Sequence, residues 1–486
     1  MQSWIKDELQ TANLGDQRLD DRFATLLDQL SSKPNESIPA ACGGWADIQA
    51  AYRFFDNDKV TPEKVLAPHR QATIGRCGEH PVVLVAQDTS ELELTRPHEK
   101  VGGPLGDEQH WGFHIHPCLA MTPERIPLGI VHAHMWARDL KDYHKRLKAK
   151  TKPIEDKESF RWLEGYQQAC ALRQQIDSQV VSLSDSEGDI YECFAAWADT
   201  SAEPTADFIV RACQNRCLAK TDPAYEKDVT TLLWEAVEKA PVQGRRKIDV
   251  SGRPALTGDG SQRRQARSAR TTNVTLQATT VTLQGLRRQG QNGQPSRKLP
   301  DVTVNVVLVR EENPPAGEPA IEWLLVTSLP VTTLSEIETV VDYYCCRWLI
   351  EVYFKVVKSG CEVEKLQLET TDRLMACVAV YLIVAWRVLY LVHLGRECPE
   401  MKCNAVLMPE EWQSVWRVVK GEDPPKKVPS LGVMIKLIAQ LGGYIPRKNE
   451  LPGAKTMWIG LQRTRDFALV WSIFHPSSPS KDVWND

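Results

Sequence analysis

The sequence predicts an α/β protein built on parallel strands, and three apolar runs carry that prediction. Residues 81–88 and 179–185 are runs suited to buried strands, and each ends in an aspartate. Residues 208–211 form a third short run, and a helical pattern over residues 157–176 separates the first two. Apolar runs that alternate with helical patterns are typical of a parallel sheet covered by crossover helices.

The first 75 residues predict a helical block. Residues 18–30 have apolar positions at helical spacing, with Arg18 and Arg22 four apart on one face, and residues 45–55 give a second helix. A basic helical face is either a DNA-binding surface or a solvated exterior, and the pattern alone leaves both open.

Beyond the first strand, residues 111–121 and 126–135 predict a β-hairpin. Alternating runs at residues 274–283 and 302–309 predict an inserted β subdomain that reaches about residue 331. From residue 334 onward the pattern is helical, with one long helix expected over residues 334–358.

Charge is distributed unevenly along the 486 residues. The net charge is −4, yet residues 243–298 hold twelve basic side chains and only two acidic ones. Such a segment in an otherwise acidic chain predicts a docking site for a polyanion.

Cysteine usage and hydropathy bear on location. The 13 cysteines include no Cys-x-x-Cys pair, which argues against a disulfide framework and favours reduced thiols in the cytoplasm. Residues 374–394 are long and apolar enough to raise the question of a membrane span, but Arg387 lies within them and a buried helix is the expectation.

Three carboxylates form the candidate catalytic set. Asp88 and Asp185 end two predicted central strands, where α/β sheets place ligands, and Glu351 lies in a predicted helix. In that helix Tyr344, Arg347, Glu351 and Lys358 are separated by three, four and seven residues, which places them along one face. By spacing alone, an Arg347–Glu351 ion pair explains this stripe as well as a functional site does.

The motifs add a resemblance. Tyr-x2-Arg-x3-Glu-x6-Lys begins at Tyr344, Asp-Thr-Ser begins at Asp88, and Asp-x-Glu-x-Asp-Ile begins at Asp185. With these motifs the chain resembles bacterial insertion-sequence transposases of the DDE class, in the branch that includes the transposon-five transposase. Departures from that branch are Ser186, where the relative has Arg, and a less basic stretch after Arg211.

The resemblance implies a ribonuclease H-like catalytic core with an inserted β subdomain. It implies a helical DNA-end-binding domain over residues 1–75, a catalytic domain over 76–395 with its insert at about 218–331, and a helical dimerisation domain over 396–486. A bacterial protein of this kind is expected in the cytoplasm, associated with the nucleoid when bound to DNA.

The resemblance also implies residue roles. Asp88, Asp185 and Glu351 would be the catalytic triad and would bind two Mg²⁺ ions, for which Mn²⁺ can substitute. Tyr344, Arg347 and Lys358 would bind phosphates beside the scissile bond, and Trp323 would stack on a flipped base. Further expected DNA contacts are Arg211, Arg18, Arg22, Lys33 and Arg53.

The predicted function is that of a homodimeric cut-and-paste transposase, which binds terminal repeats, cleaves through a DNA hairpin and joins the 3′ ends to target DNA. Two alternatives stay open, a catalytically idle DNA-binding repressor and a nuclease without strand transfer. A third alternative is a zinc site built from His114, His116, His132 and His134, although no regular Cys/His signature accompanies them.

Overall fold

The computed structural model describes residues 3–96, 99–143, 153–199, 204–226, 231–250, 252, 255, 265–288, 296–447 and 451–475. Arg253, Asp259, Arg263 and Arg264 of the basic segment lie outside the described residues. The chain forms two compact units. Unit 1 comprises Met1–Glu79, Thr89–Tyr143 and Leu349–Asp486, and unit 2 comprises His80–Asp88 and His144–Trp348.

The elements are numbered in chain order. The helices are α1 (Ser3–Glu8), α2 (Gln17–Ser32), α3 (Ile38–Ala41), α4 (Trp45–Phe55), α5 (Pro62–Gly78), α6 (Leu140–Tyr143), α7 (Phe160–Arg173), α8 (Tyr191–Ala198), α9 (Leu233–Glu238), α10 (Leu334–Cys346), α11 (Leu349–Lys355), α12 (Thr371–Glu397), α13 (Pro409–Lys420), α14 (Leu431–Leu441) and α15 (Ala454–Phe474). The strands are β1 (Val82–Gln87), β2 (Ser90–Glu93), β3 (Gly103–Pro104), β4 (Trp111–Met121), β5 (Pro127–Trp136), β6 (Gln179–Ser184), β7 (Asp207–Arg211), β8 (Val242–Val250), β9 (Arg270–Leu283), β10 (Arg287–Arg288), β11 (Arg297–Lys298), β12 (Val302–Glu311) and β13 (Glu322–Thr327).

Unit 1 is organised around α12. Thr370 caps this helix by accepting a hydrogen bond from the Arg373 backbone N–H, and nineteen of its 27 residues are buried. The helix is long and apolar enough to cross a membrane, but 83% of its apolar window is buried inside the protein. α12 is therefore the core helix that the apolar run predicts, and it packs on α5 and β5.

The last three long helices of unit 1 share a core. Trp412, Val415, Met434, Ile438 and Met457 are buried together between α13, α14 and α15. Gly460 allows α14 and α15 to approach closely, because a Cβ atom there would lie 2.0 Å from the carbonyl oxygen of Ile438.

Unit 2 contains a sheet of strand order β1-β6-β7-β13-β12-β9-β8. β1, β6 and β7 pair in parallel, and the strands from β13 to β8 continue the sheet in antiparallel fashion. α7 packs on β6 and β1, as a crossover helix does. The predicted α/β class with a central sheet is confirmed.

The prediction of one continuous helix over residues 334–358 is wrong. α10 ends at Cys346, where the N–H of Arg347 bonds to the carbonyl of Tyr344 in a tighter turn. After α11, residues Val356–Gly360 widen into a π-helical turn that the Cys361 N–H closes on Val356. The spacing of a straight helix therefore does not extend from Tyr344 to Lys358.

Candidate active site

Asp88 and Asp185 directly follow two neighbouring parallel strands of unit 2. Ala86 of β1 lies opposite Leu183 of β6, and each aspartate is two residues beyond its member of that pair. The side-chain amide of Gln87 donates to Ser182 Oγ at 3.1 Å and links the strands just before they end. Both carboxylates therefore emerge at the edge of the sheet where α/β proteins bind ligands.

Asp185 is oriented by the turn that follows it. Its Oδ1 accepts a hydrogen bond of 2.9 Å from the Glu187 N–H and caps the short 3-10 turn Ser186–Gly188. The side chain of Glu187 is held in turn by Arg161 at 3.0 Å. One lone pair of Asp185 is thus committed to the backbone, which restricts the rotation of its carboxylate.

Arg347 contacts the first of the two aspartates. Its Nη1 donates to Asp88 Oδ2 at 3.0 Å, and both side chains are mostly buried. Tyr344, three residues earlier, is 5% exposed, and burial raises the pKa of its hydroxyl against the opposing effect of Arg211 and Arg347. Tyr344 therefore interacts electrostatically with Arg211, Arg347 and Asp185, and Arg347 also pairs with Asp88.

Trp323 and Arg211 lie on the adjoining strands β13 and β7. The Trp323 ring is 5.4 Å from the Tyr344 ring at an interplanar angle of 62°, an edge-to-face contact. Arg211 donates through Nη2 to Ser186 Oγ at 3.0 Å. Ser186, one of the departures from the family pattern, therefore holds the guanidinium beside the turn of Asp185.

Asp189 is a positioning residue for which the sequence analysis predicts no role. It is 6% exposed and accepts hydrogen bonds from the backbone N–H groups of Cys213 and Gln214 at 2.9 and 2.8 Å. Arg216 also pairs with it at 2.5 Å. Asp189 thus ties the loop after β7 to the turn after β6. The sequence shows Asp189 as a residue of the Asp-x-Glu-x-Asp-Ile motif, but it does not show that the side chain is buried.

Glu351 and Lys358 belong to unit 1. Glu351 is in the first turn of α11 and is partly exposed. Lys358 lies in the π-helical turn, with its Nζ 3.4 Å from Glu364 Oε1. Lys358 also helps to lower the pKa of Glu91, although the hydrogen bond from His114 is the larger cause.

Carboxylate oxygens at the ends of β1 and β6 are the hard donors that divalent cations prefer. Among the described residues, no three or more His, Cys, Asp or Glu side chains form a group that could hold a metal ion. His114, His116, His132 and His134 of β4 and β5 are among these described residues and form no such group. His116 lies opposite His134, but His114 stacks on Trp136 with ring centroids 4.8 Å apart.

The predicted N-terminal DNA contacts lie on or next to α2 and α4. Arg18 pairs with Asp16 at 2.9 Å, and Arg22 pairs with Asp47 at 3.0 Å. Lys33 directly follows α2 and donates to the Ala40 carbonyl at 3.2 Å, while Arg53 is exposed on α4. Their roles in DNA binding stay predictions.

Three family models match the chain in order. The transposase DNA-binding model matches residues 1–60, the transposase DDE domain model matches 132–386, and the transposase Tn5 dimerisation model matches 383–471. The DDE match spans more than half of the 486 residues. The chain belongs to the DDE transposases. The Tn5-type resemblance expected from the motifs is confirmed, and the transposase carries its DDE domain between DNA-binding and dimerisation domains.

A solved structure to which this transposase is similar is described as the piggyBac transposase synaptic complex with hairpin DNA. The TM-score is 0.32 and the identity 10%, over 95% of this chain and 74% of that chain. A likeness this weak supports no conclusion about residues or mechanism.

Proposed function

We propose that this DNA transposase acts by cutting and pasting, with Asp88, Asp185 and Glu351 as its catalytic carboxylates. The transposase would bind terminal inverted repeats, nick them, resolve a DNA hairpin and join the free 3′ ends to target DNA. The observation that carries the proposal is the emergence of Asp88 and Asp185 from adjacent parallel strands beside Arg347, Tyr344 and Arg211.

Transposase DDE domains generally use divalent metal ions. Two Mg²⁺ or Mn²⁺ ions on these carboxylates would supply activation of the attacking oxygen and stabilisation of the leaving oxygen. The hydrogen bond from the Glu187 N–H restricts the Asp185 carboxylate, which supports the assignment of this role.

We assign Arg347 and Arg211 the neutralisation of a scissile phosphate. A guanidinium binds phosphate through two parallel N–H donors, and Arg347 is next to Asp88 while Arg211 is next to Ser186. We assign Tyr344 a hydroxyl contact to the same phosphate and Lys358 a contact further along the backbone.

Trp323 is the residue assigned to a flipped base. Its ring is half-buried and packs edge-on against Tyr344, so one part of the indole is supported while the rest is open. Stacking of an extrahelical base on an aromatic ring contributes about 1–3 kcal/mol. Flipping the base would relieve the tight bend of a hairpin intermediate, and the stacking would stabilise the flipped base.

Homodimer formation is assigned to the end of α15. Leu469, Val470, Ile473 and Phe474 are 66, 51, 67 and 75% exposed in the last two turns of that helix. Exposed apolar side chains clustered in this way mark a protein interface, and the Tn5 dimerisation match reaches residue 471. A second copy of the chain is the proposed partner, with terminal-repeat and target DNA held between copies.

The test is a cleavage and joining assay on linear DNA that carries the element's terminal repeats, with Mg²⁺ or Mn²⁺. Asp185→Ala and Glu351→Ala are expected to abolish nicks, hairpins and joined products while DNA binding is retained. Glu422→Ala, which removes an exposed carboxylate in the loop after α13, is the matched control. Cleavage by both triad variants at the wild-type rate would refute the catalytic assignment.

The same assay separates the two alternatives. Wild-type protein that binds the ends and never cleaves them would be a repressor. Wild-type protein that cleaves but yields no joined product would be a nuclease without strand transfer.

A further inference from the structure

The basic segment of residues 243–298 is less positive in the folded protein than in the sequence. Most of its described cations are neutralised by acidic side chains of unit 2. These pairs are Arg245 with Glu312 at 2.8 Å, Arg246 with Asp342 at 2.6 Å, and Arg270 with Glu311 at 2.8 Å and with Glu318 at 2.5 Å. The segment as a whole is therefore not one continuous anion-binding surface.

A different arrangement occurs in the two-stranded ribbon β10–β11, in which every residue is basic. Arg287 lies opposite Lys298, and Arg288 lies opposite Arg297. Directly opposed residues of an antiparallel pair project their side chains to the same face, where like charges destabilise the pairing. An isolated two-stranded ribbon is already marginal, so like charges across it destabilise the pairing further unless anionic groups compensate them.

Acidic neighbours compensate only half of that charge. Arg288 donates to both oxygens of Glu192, at 2.5 and 3.3 Å, and Lys298 lies 3.3 Å from Asp301. Arg287 and Arg297 are exposed, and neither side chain makes an ion pair or hydrogen bond within the part of the chain that the structure describes. Each face of the ribbon thus presents one uncompensated guanidinium.

The base of the ribbon is fastened to α8, the helix that follows the turn after Asp185. The hydroxyl of Tyr191 donates to the Pro300 carbonyl at 2.8 Å and to the Leu283 carbonyl at 3.3 Å. Tyr191 is the first residue of α8, which begins six residues after Asp185. Glu192, the partner of Arg288, is the next residue of the same helix. α8 therefore links the base of the ribbon to the turn that follows Asp185.

We propose that the β10–β11 ribbon is a phosphate-binding arm for duplex DNA, with Arg287 and Arg297 contacting the backbone independently of sequence. The proposal rests on the proposed transposase function. A two-stranded β-ribbon fits the major groove, and cations on both of its faces match a groove that is bordered by phosphates on both sides. Arginine suits this role because its planar fork binds phosphate oxygens in pairs.

The experiment measures binding of the full chain to duplex DNA over a series of salt concentrations, in EDTA so that no cleavage occurs. The test variant is Arg287→Gln with Arg297→Gln. Two duplexes are compared, one with the terminal repeat and one with a shuffled sequence. Loss of two phosphate contacts is expected to reduce the slope of log K against log salt by about 2, and to weaken both duplexes by roughly tenfold.

Two matched variants complete the design. Arg287→Lys with Arg297→Lys keeps both charges and is expected to retain the wild-type slope. Lys220→Gln with Lys239→Gln removes two other cations of unit 2, of which Lys239 pairs only with exposed Glu226, and is expected to leave binding unchanged. The thermal midpoint of the Arg→Gln variant should equal or exceed that of wild type, because repulsion across the ribbon is relieved.

Unchanged affinity and slope in the Arg→Gln variant would overturn the proposal. A loss confined to the terminal-repeat duplex would also overturn it, since the ribbon would then read sequence. Wild type that binds but never cleaves contradicts the proposed function instead, because binding in EDTA does not depend on catalysis.

Discussion

Arg347 donates a hydrogen bond of 3.0 Å to Asp88 across 259 residues of sequence. The pair is mostly shielded, with side-chain exposures of 11% and 19%. A guanidinium in this position holds the carboxylate that the family pattern assigns to metal binding. A cation bound through Oδ2 of Asp88 would therefore compete with Arg347 for that oxygen.

Replacement of Arg347 by Gln is expected to tighten binding of Mn²⁺ to the DNA-free protein by about three- to tenfold. The reason is that one positive charge beside Asp88 is removed, and a charge at this distance contributes on the order of 1 kcal/mol near a protein surface. Cleavage should nevertheless fall, since the phosphate loses its guanidinium. Calorimetric titration with Mn²⁺ measures the first effect, and the cleavage assay measures the second.

Arg347→Lys is the control for that experiment. It keeps the charge and should bind Mn²⁺ as wild type does, while losing the planar fork that phosphate needs. Two outcomes would show that the Arg347 charge does not oppose the cation. One is tighter Mn²⁺ binding in the Lys variant, and the other is unchanged Mn²⁺ affinity in the Gln variant.

The ends of the strands were predictable from sequence, but the helix that carries the signature was not. The apolar residues within 81–88 and 179–185 predict two buried strands, and Asp88 and Asp185 directly follow those strands. The residues of α4 were also predicted with the correct bounds. The sequence periodicity does not show the break at Arg347 or the π-helical turn before Cys361. Such irregularities depend on tertiary contacts, for example that of Gly360 with the ring of Trp458.

The β ribbon was missed for a related reason. Residues 287–288 and 297–298 are too short and too charged to read as strands. Their pairing depends on Tyr191 and Glu192, which are distant in sequence. Asp189 was likewise visible as a motif residue, but its contacts with Cys213, Gln214 and Arg216, which join two loops, were not.

His393 of α12 is expected to make stability fall at acid pH. Burial, with Arg396 and Arg125 nearby, lowers the pKa of His393 from 6.5 to about 4. The folded state therefore keeps this histidine neutral, and stability is fully present above pH 6.5 and is lost as the pH falls towards 4. Between pH 7.5 and pH 5 the free energy of unfolding should drop by about 2 kcal/mol from this residue.

Urea unfolding at both pH values checks that expectation. His393→Phe should reduce the change in the free energy of unfolding between the two pH values, whatever the substitution does to stability at neutral pH. His475→Gln, at the exposed end of α15, should leave the pH dependence as in wild type. An equal drop in the His393 variant would assign the acid sensitivity to other groups.

Glu8 is expected to anchor α1 to the core of unit 1. Its Oε1 accepts from His69 Nδ1 at 2.5 Å and its Oε2 accepts from Arg76 at 2.9 Å, while His69 Nε2 accepts from the Ile130 N–H. Glu8→Ala leaves a buried histidine N–H unpaired and should lower the free energy of unfolding by about 3 kcal/mol.

Arg18→Ala provides the comparison for Glu8. It breaks an ion pair whose arginine side chain is 90% exposed, and no measurable change in unfolding is expected. Similar losses in the two variants would mean that the Glu8 network adds nothing beyond an ordinary surface pair.

Gly460→Ala is expected to separate α14 from α15. The added Cβ would lie 2.0 Å from the Ile438 carbonyl oxygen, and backbone on both sides leaves little room to shift. Overpacking of this kind should cost about 2 kcal/mol even after the gain in helix propensity. Gly75→Ala in α5, where nothing lies within 4 Å, should instead stabilise the protein by up to about 1 kcal/mol. Thermal unfolding of both variants distinguishes crowding from a general glycine effect.

Unit 1 is built from segments that are far apart in the sequence, and this affects the order in which it folds during synthesis. Helices α2, α4 and α5 pack against α12, so the N-terminal helices leave the ribosome long before the core that covers them exists. At about 10 residues per second, the interval between residue 79 and residue 397 is on the order of 30 s. During that interval the nascent N-terminal helices expose their apolar faces, and chaperone occupancy should be highest there. A transposase whose translation stops before α12 would therefore leave these helices without their partner.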